Sequence, residues 1–300
     1  MRPHHMAISV LSAIAAVCGC SPKVTQPPTD AVNTPASTAP TTSTAAAVTG
    51  TLSVGCPCGL AMAYKELKEG FQRAHPGVTF IPHIKNISPM TRELRDGKVS
   101  LDVFLSLGEK EAGALVTAGV VSGEPVPFLR QSMQLLVQKG NPLGIHSLED
   151  LARPEVGTVA VCSANLTIGD AGEKALRSAG VWQKLSDEGK IIRFDQPAQA
   201  KEQVVNKKAD ATFIYSQCSA PSWVEGDPER SVTGKAEVVL TVPEDSYGGM
   251  RAAAVVLKTA KNPALARAFI DFLTTPEAQE AITKWGYGKL AGPAAAPQSK

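Results

Sequence analysis

The sequence predicts an α/β protein made of two doubly wound β/α lobes, and three observations carry that reading. At 300 residues, 43% hydrophobic and 19% charged, the chain is long enough to bury a large core, which excludes a small disulfide scaffold. Short runs of strand-forming residues alternate with segments whose apolar residues recur at helical spacing. The apolar run at the N-terminus is too short to span a bilayer.

In order, Leu52-Ser53-Val54 reads as a strand, and Leu60, Ala63, Tyr64, Leu67 and Phe71 form one face of a helix. The strand Val78–His83 leads to a helix carrying Met90 and Leu94, and the strand Leu101–Ser106 to a helix through Ala112, Leu115 and Val116. After the strand Met133–Val137, Ser147 with Asp150 three residues on reads as the capped start of a helix. The strand Thr158–Val161, a helix over 168–178, the strand Ile191–Phe194, a helix over 198–207 and the strand Ala211–Tyr215 complete the alternation. Two doubly wound sheets accommodate this pattern.

Both ends read as processing or tether segments. Arg2, His4 and His5 precede the apolar run Ala7–Val17, which reads as the h-region of an export signal. It ends in Val17-Cys18-Gly19-Cys20, similar to a bacterial lipobox, so residues 1–19 are expected to be a lipoprotein signal peptide with Cys20 lipidated. An ordinary secretory signal with incidental cysteines is the alternative. The Ser/Thr/Pro/Ala-rich stretch 20–50 is expected to be a disordered tether, and 291–300 a disordered tail. The net charge of +2, without long single-sign runs, and an aromatic content of 5% give no footprint for nucleic acid.

Several segments carry a resemblance. The run Leu101-Asp102-Val103-Phe104-Leu105-Ser106, the segments 148–151 and 209–215, and Ala268-Phe269-Ile270-Asp271-Phe272-Leu273-Thr274-Thr275-Pro276-Glu277-Ala278-Gln279 resemble periplasmic molybdate-binding proteins and related extracellular solute-binding proteins. The resemblance covers the whole folded region. It implies two similar lobes joined by crossing hinge strands, with a small solute trapped in the cleft between them. Lobe one would be residues 51–130 plus 245–290, and lobe two 131–244. It further implies a protein that delivers a molybdate-like oxyanion to an ABC transporter permease and performs no enzymatic step; with the lipobox, the expectation is an exported, lipid-anchored monomer facing the periplasm or cell exterior.

The family's oxyanion pocket uses hydroxyls and backbone amides in loops after strands, including helix N-termini, where unpaired N–H groups attract negative charge. Carried over by position, these loops hold Cys56, Cys58 and Gly59, then Ser88, then Cys162 and Thr167, then Tyr215 and Cys218. Ser88 and Tyr215 match the family in kind. The first loop does not: Cys56-Pro57-Cys58-Gly59 stands where the family has a serine that touches the anion.

Cys56, Cys58, Cys162 and Cys218 all fall in these loops, next to helix starts that lower thiol pKa. A convergent set of thiolates would suit a soft or borderline metal such as Cu(I) or Zn(II), giving a metal-binding, storage or redox protein as the alternative function. Disulfides are an ordinary fate of exported cysteines, and plain buried thiols are the third possibility. The widely spaced His75, His83 and His146 read as surface or turn residues, Asp102 and Asp170 as structural carboxylates, and the tryptophans as core. No Gly-x-Ser-x-Gly or phosphate-binding glycine loop is present.

Overall fold

Leu52, Val54 and Cys56 alternate along strand β1 (Gly50–Pro57) and are fully buried, because successive side chains of a strand point to opposite faces. The computed structural model describes residues 48–218 and 235–290. On one side β1 pairs in parallel with β2 (Val78–Lys85) and on the other with β3 (Val103–Leu105). Two antiparallel strands complete this first sheet, β10 (Met250–Leu257) beside β3 and β4 (Val121–Gln131) at the edge, in the order β2-β1-β3-β10-β4.

The second sheet repeats the plan. Its order is β7-β6-β8-β5-β9, from β5 (Met133–Gln138), β6 (Val159–Cys162), β7 (Ile191–Phe194), β8 (Ala211–Tyr215) and β9 (Ala236–Thr241). β6 runs parallel to β7 and β8, while β5 is antiparallel to β8 and β9. The chain crosses between sheets twice, through Ser132 from β4 to β5 and through residues 242–249 from β9 to β10. At the crossing Val242 N–H donates to Met133 O at 2.8 Å, and the Ser132 and Ser216 hydroxyls share a 2.8 Å hydrogen bond.

The helices are α1 (Ala61–Ala74), α2 (Ile87–Arg95), α3 (Glu109–Thr117), α4 (Thr167–Ser178), α5 (Trp182–Asp187), α6 (Pro197–Val205), α7 (Pro263–Phe272) and α8 (Pro276–Lys284). Under the first sheet α1 and α7 meet edge-to-face, with the Phe71 and Phe80 rings 5.3 and 5.0 Å from Phe269. Asp102 is structural: its buried carboxylate accepts from Ser53 N–H (2.6 Å), Ser53 Oγ (2.5 Å) and Lys261 N–H (2.6 Å), pinning β1 to the turn after β10. Trp182 packs in the core between Arg177 and Arg193.

One expected helix is absent. The Ser147/Asp150 box forms, with Ser147 N–H donating to Asp150 Oδ2 at 2.9 Å, but it opens a single 3-10 turn, Glu149–Ala152. Pro154 disfavours helical geometry in the residue before it, and Arg153 is extended, with ψ 149°.

Candidate functional site

The carboxyl ends of the parallel strands of both sheets carry loops into helix starts, and these two sets of loops touch. A Cβ added to Gly59, after β1, would lie 3.7 Å from Cys218 Sγ, after β8, and beside this Gln217 Nε2 donates to Gly286 O, past α8, at 2.9 Å.

The closest approach is between α3 and α4. Gly169 allows α4 to start close against the end of β6, since a Cβ there would sit 2.2 Å from Ser163 O and 2.5 Å from Cys162 O. Leu166, at the helix's N-cap, has no oxygen with which to cap it. The cap comes from α3 instead: Thr167 N–H donates to Glu111 Oε1 at 3.2 Å, and Thr167 Oγ1 donates to Glu111 Oε2 at 2.6 Å. The same hydroxyl accepts from Lys110 N–H at 3.0 Å, so each helix caps the other's N-terminus. Gly108 makes room for Thr167, whose Oγ1 would be 2.0 Å from a Cβ at that position. Burial raises the Glu111 carboxyl above its ordinary pKa, and the Thr167 hydrogen bonds only partly offset this.

Two buried hydroxyls lie beside these loops without a hydrogen-bond partner among the described residues, Ser88 Oγ and Tyr215 OH. Tyr215 reaches the start of α4, where the Ile168 N–H is near enough to favour its phenolate without completing a hydrogen bond. Burial, then the charges of Glu111, Cys162 and Cys218, push the Tyr215 phenol well above its usual pKa. The Ile168 N–H at a helix start beside an unpartnered hydroxyl is chemistry suited to holding an anion.

Known proteins agree with this architecture. The family described as bacterial extracellular solute-binding protein matches residues 52–288. The chain belongs to that family. The molybdate-binding protein ModA of Mycobacterium tuberculosis is 27% identical over 231 residues, 77% of this chain and 81% of its own. A Bacillus subtilis protein named putative ABC transporter substrate-binding lipoprotein YvgL is 20% identical over 238 residues, 79% of this chain and 86% of its own. In fold, the periplasmic molybdate-binding protein of Azotobacter vinelandii superposes with a TM-score of 0.59 at 20% identity, covering 79% of this chain and 98% of that one.

In this solute-binding protein the four loop cysteines are free thiols, and their placement corrects two expectations. Among the described residues no three His, Cys, Asp or Glu side chains are grouped to hold a metal ion, so Cys56, Cys58, Cys162 and Cys218 do not form a ligand quartet in this arrangement. The reason is strand alternation, which turns Cys56 inward with Leu52 and Val54; its Sγ donates to Pro57 O at 3.5 Å. Cys58, partly exposed, donates instead to Asn86 Oδ1 at 3.3 Å. The helix starts do not lower the buried thiols. Burial drives Cys162 up to about 12 and Cys218 up to about 11, and Cys56 well above its ordinary value.

Of the residues singled out from sequence, Cys162, Thr167, Tyr215 and Cys218 gather around the α4 start, and Cys56, Cys58 and Gly59 stand on the facing loop. Ser88 opens α2 beside Asn86. Glu111 was not foreseen. Its signal is a third loop of the same kind on the first sheet, from β3 into the acidic first turn of α3, where Ser106 Oγ holds the turn by donating to Gly108 O at 2.6 Å. A surface groove of about 270 Å³, lined by Glu66, Arg73, Phe272 and Glu277 among others, lies between α1 and α8 and includes none of these loop residues.

Proposed function

We propose that this solute-binding protein captures a small inorganic oxyanion of the molybdate kind between its two lobes and presents it to the permease of an ABC-type importer. The observation that carries this reading is the buried, unpartnered Tyr215 hydroxyl beside the Ile168 N–H at the start of α4. Ser88 supplies a second buried hydroxyl, from α2. The molybdate-binding names of the relatives support the same ligand class.

In this reading the lobes are residues 51–130 plus 245–290 and 131–244, and the two crossings between sheets act as the hinge. The monomer is held at the membrane by lipidated Cys20 and the 20–50 tether, after loss of the signal 1–19. Residues 1–47 and 291–300 lie outside the described residues. YvgL's name as a lipoprotein favours the anchor.

The test is calorimetry of the reduced, mature protein with molybdate, sulfate, Zn(II) and Cu(I) in parallel, on wild type, Tyr215→Phe and Cys58→Ser. Molybdate or sulfate binding weakened by Tyr215→Phe and indifferent to Cys58→Ser is the expected result. Metal binding lost in Cys58→Ser, with no oxyanion bound, would replace this reading with the thiol-based one.

A further inference from the structure

We propose that Glu111 decides which anions the cleft admits: its carboxylate sits where the oxyanion would be held at the start of α4, so a dianion binds together with one proton. This rests on the oxyanion reading above and adds to it the charge state of the captured species. Both carboxylate oxygens of Glu111 are committed to the first residue of α4, at 3.2 Å to Thr167 N–H and 2.6 Å to Thr167 Oγ1. The residue is 2% exposed although it belongs to lobe one and its partner to lobe two. Tyr215, 1% exposed, turns an unpartnered hydroxyl toward the adjacent Ile168 N–H. The helix start thus holds one negative group already, and the site beside it is built to bind another.

The two cannot share that start as full anions, because like charges at contact distance in a buried place drive the stronger base of the pair, here the Glu111 carboxylate, to its protonated form. A proton taken from solvent onto a Glu111 oxygen turns a repelling carboxylate into a donor toward an oxygen of the anion. The charged and titratable groups around it are paired or pushed up. On α4, Asp170 is burdened by burial but held ionised by Lys174 at 2.8 Å and by Lys110 of α3 at 3.1 Å. Cys162 of β6 and Tyr215 of β8 are pushed up and stay protonated. Glu109 of α3 pairs with Arg251 of β10 at 3.6 Å, on the exposed side. Glu111 is thereby the group whose charge an arriving dianion changes, and burial has already raised its pKa.

The experiment is titration of sodium molybdate, and separately sodium sulfate, into the mature protein between about pH 6 and about pH 8, in buffers of different ionisation heat. Wild type is expected to take up about one proton per anion bound, with affinity falling by up to roughly tenfold per pH unit as pH rises. Glu111→Gln is expected to bind without proton uptake and with a flat pH profile. Tight binding by wild type with no proton taken up would overturn the assignment of Glu111 and leave the oxyanion reading standing; this measurement needs no variant. An equal proton uptake in Glu111→Gln would also overturn it. Failure of both proteins to bind either anion at any pH would instead remove the oxyanion reading itself.

Discussion

Replacing Gly108 with alanine isolates the contact between the lobes from the stability of either one. Gly108 has φ −159° and ψ 169°, an extended conformation that alanine adopts freely. Its new Cβ, however, would stand 2.0 Å from Thr167 Oγ1 and 2.2 Å from Thr167 Cβ. Ordinary carbon contacts need about 3.5–4.0 Å, so the loops must part by roughly 1.5 Å or Thr167 must swing away. Either movement breaks the exchange of caps between Thr167, Glu111 and Lys110. Overpacking of this kind costs about 1–3 kcal/mol, or roughly 5- to 150-fold in an opening equilibrium. Hydrogen exchange should therefore quicken by that factor at the Thr167 and Lys110 amides, which donate in those caps, while β1 and β6 keep their protection. Global stability should fall by less than that cost, since Gly→Ala also restricts the unfolded chain, which returns about 0.4–1 kcal/mol. Unchanged exchange at Thr167 in Gly108→Ala would refute the claim that this contact holds the lobes together.

Four further outcomes are expected, three from the same geometry and one from the N-terminal sequence. Tyr215→Phe removes a buried hydroxyl that has no partner, so thermal stability is expected to rise by about 1 kcal/mol even as molybdate affinity falls; a lowered melting temperature would mean the hydroxyl is bonded in solution. Because the Glu111 carboxyl is raised in the folded state, its stabilising contribution is full below the ordinary glutamate value and is lost as pH rises through the raised one. Denaturant midpoints of Glu111→Gln should then decline less over that window than those of wild type. Alkylation of the reduced native protein should mark Cys58 first and leave the buried Cys56 and Cys162 for last, as read by peptide mass spectrometry; simultaneous labelling would contradict their burial. Cys20→Ala should release the protein from membranes of a bacterial host or leave it unprocessed, and unchanged partition would remove the anchor.

Much of the α/β alternation was legible because the parallel strands are short apolar runs and α1 and α4 carry clear apolar faces. Strand β4 was not, since Gly123, Pro125 and Pro127 break its pattern; it forms as an edge strand, where a missing N–H costs no ladder bond on the open side. The helix expected at Ser147 failed for the opposite reason, a good local start overruled a few residues later by Pro154. At the site, sequence position located Thr167 and Tyr215, which sit where strands end. It could not show that Cys56 turns inward, because one residue of strand register decides the face, nor that Glu111 crosses to another lobe's helix, 56 residues away in the chain.

The prolines of the first sheet have a consequence for the molecule among its own copies. Its two outer strands, β2 and β4, carry Pro82, and Pro125 with Pro127. β2 also exposes Ile81 at 48% and Ile84 at 41%, the kind of apolar rim that invites strand addition by a neighbouring chain. A proline beside those isoleucines deletes a donor from the rim, and two more do so on the far side. A continuous intermolecular ladder along either margin is interrupted, which resists fibre-like association wherever many copies crowd together.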